Sequence, residues 1–94
     1  MRDYELVIVL DGKVTSAKKK TFTDKLEKLI KATKGTLGKV KDMGVKELAF
    51  KIKKSTTGAY MLFNLELSGE GAKELGNKIR LDDEIIRYLL IAKN

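Results

Sequence analysis

The chain has 94 residues, with 20 lysines and arginines against 13 aspartates and glutamates, a net charge of +7, and no cysteine or histidine. The missing cysteines and histidines exclude disulfides and thiolate metal sites and remove the usual zinc ligands and general bases. The length fits one domain with a single core, expected over residues 1–94, and the charge favours polyanionic partners such as nucleic acid. No apolar run approaches the roughly 20 residues that span a bilayer, and no signal peptide is recognisable. We therefore expect a soluble intracellular protein with no membrane partner.

The first predicted elements are a strand and a helix. Residues 3 to 10 read as a strand that ends at the turn pair Asp11-Gly12. A helix is predicted from Ser16 to Lys34, with its first residue as N-cap and Gly35 as the stop. Its apolar stripe consists of Phe22, Leu26, Leu29, Ile30 and Thr33.

Two strand patterns follow. Alternation from Thr36 to Lys53 is interrupted around Asp42-Met43-Gly44, which predicts either one long bent strand or two short ones. The sequence Thr56-Thr57-Gly58 then predicts a turn before a strand from Ala59 to Leu67.

The last elements complete the topology. A short helix is predicted from Glu70 to Arg80, because Ala72, Leu75 and Ile79 are spaced three and four apart. A final strand is predicted from Ile85 to Ala92. The order β-α-β-β-α-β is that of the α+β, ferredoxin-like split βαβ fold, a four-stranded antiparallel sheet with two helices on one face.

Strand parity predicts which side chains meet the helices, because alternate side chains point to opposite faces of a sheet. The more apolar parity set is expected in the core: Tyr4, Leu6, Ile8, Leu10, Leu48, Phe50, Ile52, Met61, Phe63, Leu65, Leu67, Ile86, Tyr88 and Leu90.

The opposite face keeps an apolar centre with basic residues around it, and no helix remains to cover it. The centre consists of Val7, Val9, Leu62, Leu89 and Ile91. A large exposed apolar patch usually marks a partner site, so these residues are predicted to bind a protein partner while RNA lies along the margin. The alternative is that central strands are simply apolar on both faces.

The charged clusters do not indicate catalysis. Asp82-Asp83-Glu84 offers oxygen ligands for a cation, but a solvated turn is the favoured interpretation. Lys18-Lys19-Lys20 is interpreted as a charged helix face rather than a phosphate contact. An acylphosphatase-like phosphate loop is absent, since Asp11-Gly12-Lys13-Val14 follows the first strand. We expect no catalytic residue, no metal site, no cofactor and no small-molecule substrate.

One strand pattern is compatible with RNA binding of another kind. Residues 58–63, GAYMLF, loosely resemble the RNP1 strand of an RRM, in which two or three aromatic side chains stack on bases. Here Tyr60 is the only aromatic residue of that strand on the open face. An RRM-like reader is therefore the weaker hypothesis.

The stretch from Gly44 to Lys53, GVKELAFKIK, together with the opening MRDYE, resembles the bacterial small-subunit ribosomal protein six family. The family's signature reads Gly-x-basic-polar-Leu-Ala-Tyr-x-Ile-basic, and Phe50 stands here in place of the tyrosine. The resemblance extends over nearly the whole chain, through Gly35, Gly58, Leu75, Arg80 and Arg87.

The resemblance implies a structural, non-enzymatic constituent of the small ribosomal subunit in the bacterial cytoplasm. It would bind the central domain of the small-subunit (16S) rRNA, in the platform, as a heterodimer with ribosomal protein eighteen. The matching basic positions imply RNA contacts at Arg2, Lys54, Arg80 and Arg87, to which we add Lys93. The alternative is a ferredoxin-like regulatory or RRM-like RNA-binding module that acts outside the ribosome.

Overall fold

The computed structural model describes residues 2–52 and 55–93, and the side chains of all of these except 50–52. The elements are β1 (Arg2–Asp11), α1 (Ser16–Ala32), β2 (Thr36–Ile52), β3 (Ser55–Leu67), α2 (Gly69–Arg80) and β4 (Ile85–Lys93). The strands form one antiparallel sheet in the order β2-β3-β1-β4. The predicted α+β, ferredoxin-like fold is thus confirmed. Within the described residues, neither helix is long and apolar enough to cross a membrane.

The core lies between the two helices and one face of the sheet. Alternate residues of β1 and β3 meet the apolar stripes of α1 and α2 there, as strand parity and helical spacing predict. The buried cluster contains Tyr4, Leu6, Ile8, Leu10, Phe22, Leu26, Ile30, Ala59, Met61, Phe63, Leu65, Leu67, Ala72, Leu75, Ile79 and Ile85. We call this side of the sheet the helix face and the other side the open face.

The ends of α1 differ slightly from the predicted ones. The N-cap is Thr15 rather than Ser16, because its Oγ1 accepts a hydrogen bond from the backbone N–H of Lys18 at 3.2 Å. At the other end, Lys34 takes the left-handed conformation with φ of 64°, and the N–H of Gly35 donates to the carbonyl of Ile30 at 2.9 Å. These bonds satisfy the last carbonyls of α1, so the helix ends just before Gly35, the residue predicted to stop it.

A bulge in β2 reverses which side chains face the helices. The strand is one long element, but its register with β3 shifts between Asp42 and Gly44, where Met43 is the extra residue. Beyond this point parity is reversed, and Leu48 lies on the open face. Its Cδ2 atom is 3.1 Å from the position that a Cβ on Gly58 would occupy. The prediction that Leu48 belongs to the core was therefore wrong; the predicted core side chains Phe50 and Ile52 lie outside the described ones.

Two further predictions are corrected by strand pairing. Thr56-Thr57-Gly58 is not a turn but part of β3, where Gly58 pairs with Lys46 on one side and with Asp11 on the other. Polar and glycine residues suit a turn locally, but pairing on both sides satisfies the backbone here.

The second correction concerns the start of β4. A register shift between Val9 and Leu10 places Ile85 opposite Leu10 and buries it, whereas Ile86 is only half-buried. The later members of that parity set, Tyr88 and Leu90, pack against the core as predicted.

Candidate docking and nucleic-acid interface

The open face carries an apolar stripe across its centre and along its β4 edge. Val7 lies directly opposite Leu62 on one side and Leu89 on the other. Ile91 follows on the edge strand, opposite Glu5. Leu89 is 55% and Ile91 46% exposed, while Val7 and Leu62 are half-buried. We call Leu62, Val7, Leu89 and Ile91 the apolar row.

Val9 does not belong to this exposed surface, which corrects the sequence prediction. It is only 3% exposed although it points to the open face. A Cβ on Gly58 would lie 2.5 Å from Cγ1 of Val9, 3.1 Å from Cδ2 of Leu48 and 3.4 Å from Cε1 of Tyr60. Neighbouring side chains thus close over this end of the face. Strand parity alone did not indicate this, because the bulge in β2 brings Leu48 here.

Basic side chains border the apolar row on both edges of the sheet. Arg87, exposed on β4, lies opposite Val9. On β2, exposed Lys41 lies opposite Leu62, and Lys46 lies opposite Gly58. The Nζ of Lys46 is 5.5 Å from the centre of the Tyr60 ring, a cation–π contact. Sequence reasoning did not select these two lysines, because their facing depends on the register shifts of β2 between Leu37 and Val40 and between Asp42 and Gly44.

Two of the predicted RNA-binding residues come together at one end of the molecule. Arg80, at the end of α2, and Arg87, on β4, line the same groove of about 280 Å³ together with Tyr88. Arg80 donates a hydrogen bond from Nη2 to Oδ1 of Asn77 at 3.1 Å and stays exposed. The carboxylate of Asp82, which is paired with Lys25, also lines this groove beside the two arginines.

The other predicted basic residues lie elsewhere. Arg2 and Lys93 are both exposed at the opposite end of the sheet, and Arg87 and Lys93 are about 20 Å apart along β4 at the usual strand rise. Lys93 lies 3.7 Å from a carboxylate oxygen of Glu5, so part of its charge is compensated. Lys54 lies outside the described residues.

The charge of the open face changes sign along the strands. Asp3 lies directly opposite Glu66, and Glu5 is two residues further along β1 on the same face. Lys93 is opposite Asp3. One end of the face is therefore mostly acidic, and the end with Arg87 and Lys46 is basic. A polyanion is attracted to the second end and repelled from the first.

Asp82, in the turn before β4, makes structural contacts. Asp82 accepts a hydrogen bond from Lys25 Nζ at 2.7 Å and another from the N–H of Glu84 at 2.9 Å. The first of these bonds raises the pKa of Lys25. Within the described part of the chain, no three aspartates or glutamates are placed to hold a metal ion. The run Asp82-Asp83-Glu84 lies in the turn before β4, but it is not fully solvated, because the Asp82 side chain is only 11% exposed.

Two more aspartates accept hydrogen bonds from the backbone, Asp11 at the end of β1 and Asp42 in β2. The N–H of Lys13 and then the hydroxyl of Ser55 lower the pKa of Asp11. The N–H of Gly44 and then Lys19 Nζ, at 3.1 Å, lower the pKa of Asp42. Lys19 thus contacts the sheet through Asp42, whereas Lys18 and Lys20 are exposed. The open face, by contrast, presents the apolar row to solvent with cations at its margin.

Known proteins resemble this chain in both sequence and structure. The family model described as Ribosomal protein S6 matches residues 3–92. The small ribosomal subunit protein bS6 of Alkaliphilus oremlandii is 35% identical over 91 residues, covering 97% of this chain and 96% of the relative. That of Vesicomyosocius okutanii is 36% identical over 94 residues, covering 100% and 82%. The crystal structure of 30S ribosomal protein S6 from Thermotoga maritima superposes with a TM-score of 0.86 at 29% identity, covering 98% of this chain and 87% of that one.

Proposed function

Because the chain belongs to the ribosomal protein S6 family, we propose that its open face docks ribosomal protein eighteen and that its basic margin binds the platform of the 16S rRNA. The family assignment makes the chain a structural, non-enzymatic component of the small subunit of the bacterial cytoplasmic ribosome. The observation that carries the proposal is the exposed apolar row with arginines and lysines at its edges.

The apolar row supports a protein partner rather than RNA alone. Leu89 and Ile91 lie half or nearly half exposed on an edge strand, next to Val7 and Leu62. Each Å² of apolar surface that a partner removes from water contributes roughly 25 cal/mol. Phosphates make no such contact, because they are recognised by charge and hydrogen bonds. The buried centre of a protein interface is apolar with a polar rim, and the apolar row with its charged margin matches that anatomy.

The basic margin supports RNA binding at the end away from the acidic pair Asp3 and Glu66. Arg80 and Arg87 share a groove there, and guanidinium groups bind phosphates with two parallel hydrogen bonds. Arg2, Lys54 and Lys93 remain candidate RNA contacts, which would extend the interface towards other parts of the rRNA.

A substitution in the apolar row tests the partner site. Leu89→Asp should abolish pull-down of ribosomal protein eighteen while the isolated chain keeps its denaturation midpoint, because a carboxylate replaces the centre of the interface but is exposed in the free protein. Leu81→Asp is the matched control, since Leu81 is 81% exposed at the end of α2, away from the row. Equal binding by the Leu89→Asp variant and the wild type would contradict the assignment. Self-association in sedimentation without RNA would indicate a second copy on this face instead.

Salt dependence tests the RNA margin. We consider binding to an rRNA fragment of the central domain with the partner present. The logarithm of the binding constant should fall with the logarithm of the salt concentration, with a slope of roughly −0.7 to −0.9 per phosphate neutralised. Arg87→Ala should reduce that slope by about one such unit. Lys31→Ala serves as control, because Lys31 is exposed in the last turn of α1, far from the open face. An unchanged slope for Arg87→Ala would assign this arginine to the protein partner or to solvent.

A further inference from the structure

We propose that the ring of Tyr60 stacks on one unpaired base of single-stranded RNA, with Lys46 and Arg87 contacting the phosphates beside that base. The inference rests on the proposed RNA-binding function and adds a base contact to an interface otherwise described by phosphates. It concerns the end of the open face next to the apolar row, not the row itself.

The surroundings of Tyr60 leave room beside its ring. On the β2 side its cross-strand partner is Gly44, which has no side chain, and a Cβ built there would meet no atom within 4 Å. Two residues back on the same face is Gly58, and the Cε1 edge of the ring reaches over it. Gly44 therefore leaves the β2 side of the tyrosine free of a side chain, whereas Val9 and Leu48 occupy the space over Gly58.

One face of the ring is accessible from solvent. Lys46 is an exposed residue, yet its Nζ lies 5.5 Å from the ring centre. An ammonium group keeps its water while it lies over an aromatic face, so that face is not covered by the core. A base that arrives there replaces a weak cation–π contact with a stack, and the freed ammonium group can pair with a phosphate.

A second cation lies on the other side of the tyrosine. Val9 is the cross-strand neighbour of both Tyr60 and Arg87, so the tyrosine and the arginine are two strand spacings, about 10 Å, apart. The ring is thus bracketed by Lys46 on one side and Arg87 on the other. An aromatic surface between cations that follow the backbone is the arrangement by which proteins hold single-stranded nucleic acid.

The site has room for one stacked base and is not expected to distinguish between bases. Tyr4 and Tyr88 pack against the core on the helix face, so among the described side chains Tyr60 is the only aromatic one on the open face. RRM domains use two or three such rings. Every base has a π-face, and we therefore expect tolerance of base identity rather than hydrogen-bonded readout.

Oligonucleotides with and without bases test the proposal directly. At low salt, the full chain should bind a short oligoadenylate roughly 5- to 150-fold more tightly than an abasic oligomer of equal length, which is the range expected for one stacked base. Equal affinity for the two probes would overturn the proposal, and this comparison needs no variant. The chain has no tryptophan and three tyrosines, so quenching of tyrosine fluorescence on adding oligoadenylate reports the contact.

Variants then assign the contact to one residue. Tyr60→Leu should lose the preference for oligoadenylate and keep its affinity for the abasic oligomer, whereas Tyr60→Phe should keep the preference but lose the quenching. If Tyr60→Leu binds oligoadenylate like wild type but no longer binds the protein partner, Tyr60 belongs to the docking surface and the inference fails while the proposed function stands. A failure of the docking proposal is seen separately, in the pull-down of the protein partner with the Leu89→Asp variant.

Discussion

Both faces of the sheet carry apolar side chains, but only those of the helix face are fully covered. On the helix face, Leu6, Ile8 and Phe63 are completely buried. On the open face, their sequence neighbours Val7 and Leu62 are half-buried, although they lie on the same central strands. The difference is the cover: two amphipathic helices lie over the first face, and no described element lies over the second. The apolar side chains of the helix face are therefore buried within the fold, whereas those of the open face stay partly in contact with water.

The open face itself divides in the same way. Val9 is closed over by Leu48 and Tyr60 from the same chain, whereas Leu89, one row away, is exposed. Val9 is thus covered by side chains of the same chain, whereas Leu89 stays exposed. The bulge in β2 makes the difference, because it turns Leu48 towards Val9 and leaves only Gly44 beside Tyr60.

The largest expected effect is a difference in stability between truncations under the helix face and truncations on the open face. Leu75→Ala removes a fully buried side chain of α2 and leaves a cavity, so we expect a loss of about 2 to 5 kcal/mol in the free energy of unfolding. Leu89→Ala should change it by no more than about 0.5 kcal/mol, since this side chain is already 55% exposed in the folded protein. Denaturant titration of both variants is the measurement. Equal shifts of the two midpoints would break the comparison between the faces.

A smaller effect should mark the closed end of the open face. Gly58→Ala places a methyl group 2.5 Å from Val9 Cγ1 and 3.1 Å from Leu48 Cδ2, which forces both side chains to move. Overpacking of this kind costs about 1 to 3 kcal/mol. Gly69→Ala is the control, because a Cβ at that position meets nothing within 4 Å. If thermal denaturation shows no difference between the two variants, Val9 is not closed over as described.

The helix layer contains one position that can be improved. Lys34 has a φ of 64° just after α1, where glycine is the favoured residue. Lys34→Gly should raise the free energy of unfolding by about 0.5 to 1 kcal/mol, because relief of the strain exceeds the added entropy of the unfolded chain. Lys31→Gly, inside the last turn, should lower it by a similar amount. A destabilising Lys34→Gly would mean that this residue is not strained.

The smallest effect concerns the pH dependence of stability and Asp42, which lies beside the bulge in β2. The backbone N–H of Gly44 and then Lys19 lower the pKa of Asp42 below its usual value in the folded protein. The stability from this shift is therefore present above the usual aspartate pKa and is lost as the pH falls through the lowered value. Asp42→Asn should lose less stability than wild type between pH 7 and pH 3 in urea titrations. Parallel losses would show that the carboxylate does not anchor the bulge.

Local patterns predicted the elements well but predicted the facing of side chains only where pairing is regular. Alternation in β1 and β3 placed Ile8 and Phe63 correctly, because these central strands pair in unbroken register. In β2, one extra residue at Met43 reversed the parity, and Leu48 changed face. Alternation within a strand does not indicate its register with the next strand. The only sequence sign of the bulge was the interrupted alternation near Gly44.

The sequence predicted that one sheet face is exposed and apolar, but it did not predict the burial and facing of every side chain there. The uncovered apolar face follows from the element order, and Leu89 and Ile91 are exposed as expected. The burial of Val9 and the facing of Lys46 depend on contacts between strands that are far apart in sequence. The grouping of Arg80 with Arg87 likewise arises from the packing of α2 beside β4.

The pairing of β1 with β4 also constrains how the molecule can be made. Asp3 lies opposite Lys93, 90 positions later in the chain, and β1 sits between two strands that are both synthesised after it. The centre of the sheet therefore cannot be completed while β4 is still inside the ribosome that synthesises it, and until then β1 has an unpaired edge. Contacts of such long sequence separation slow folding, because the loop between them must close first. A circular permutant that joins these two strands in one hairpin would make them local and should fold faster into the same sheet.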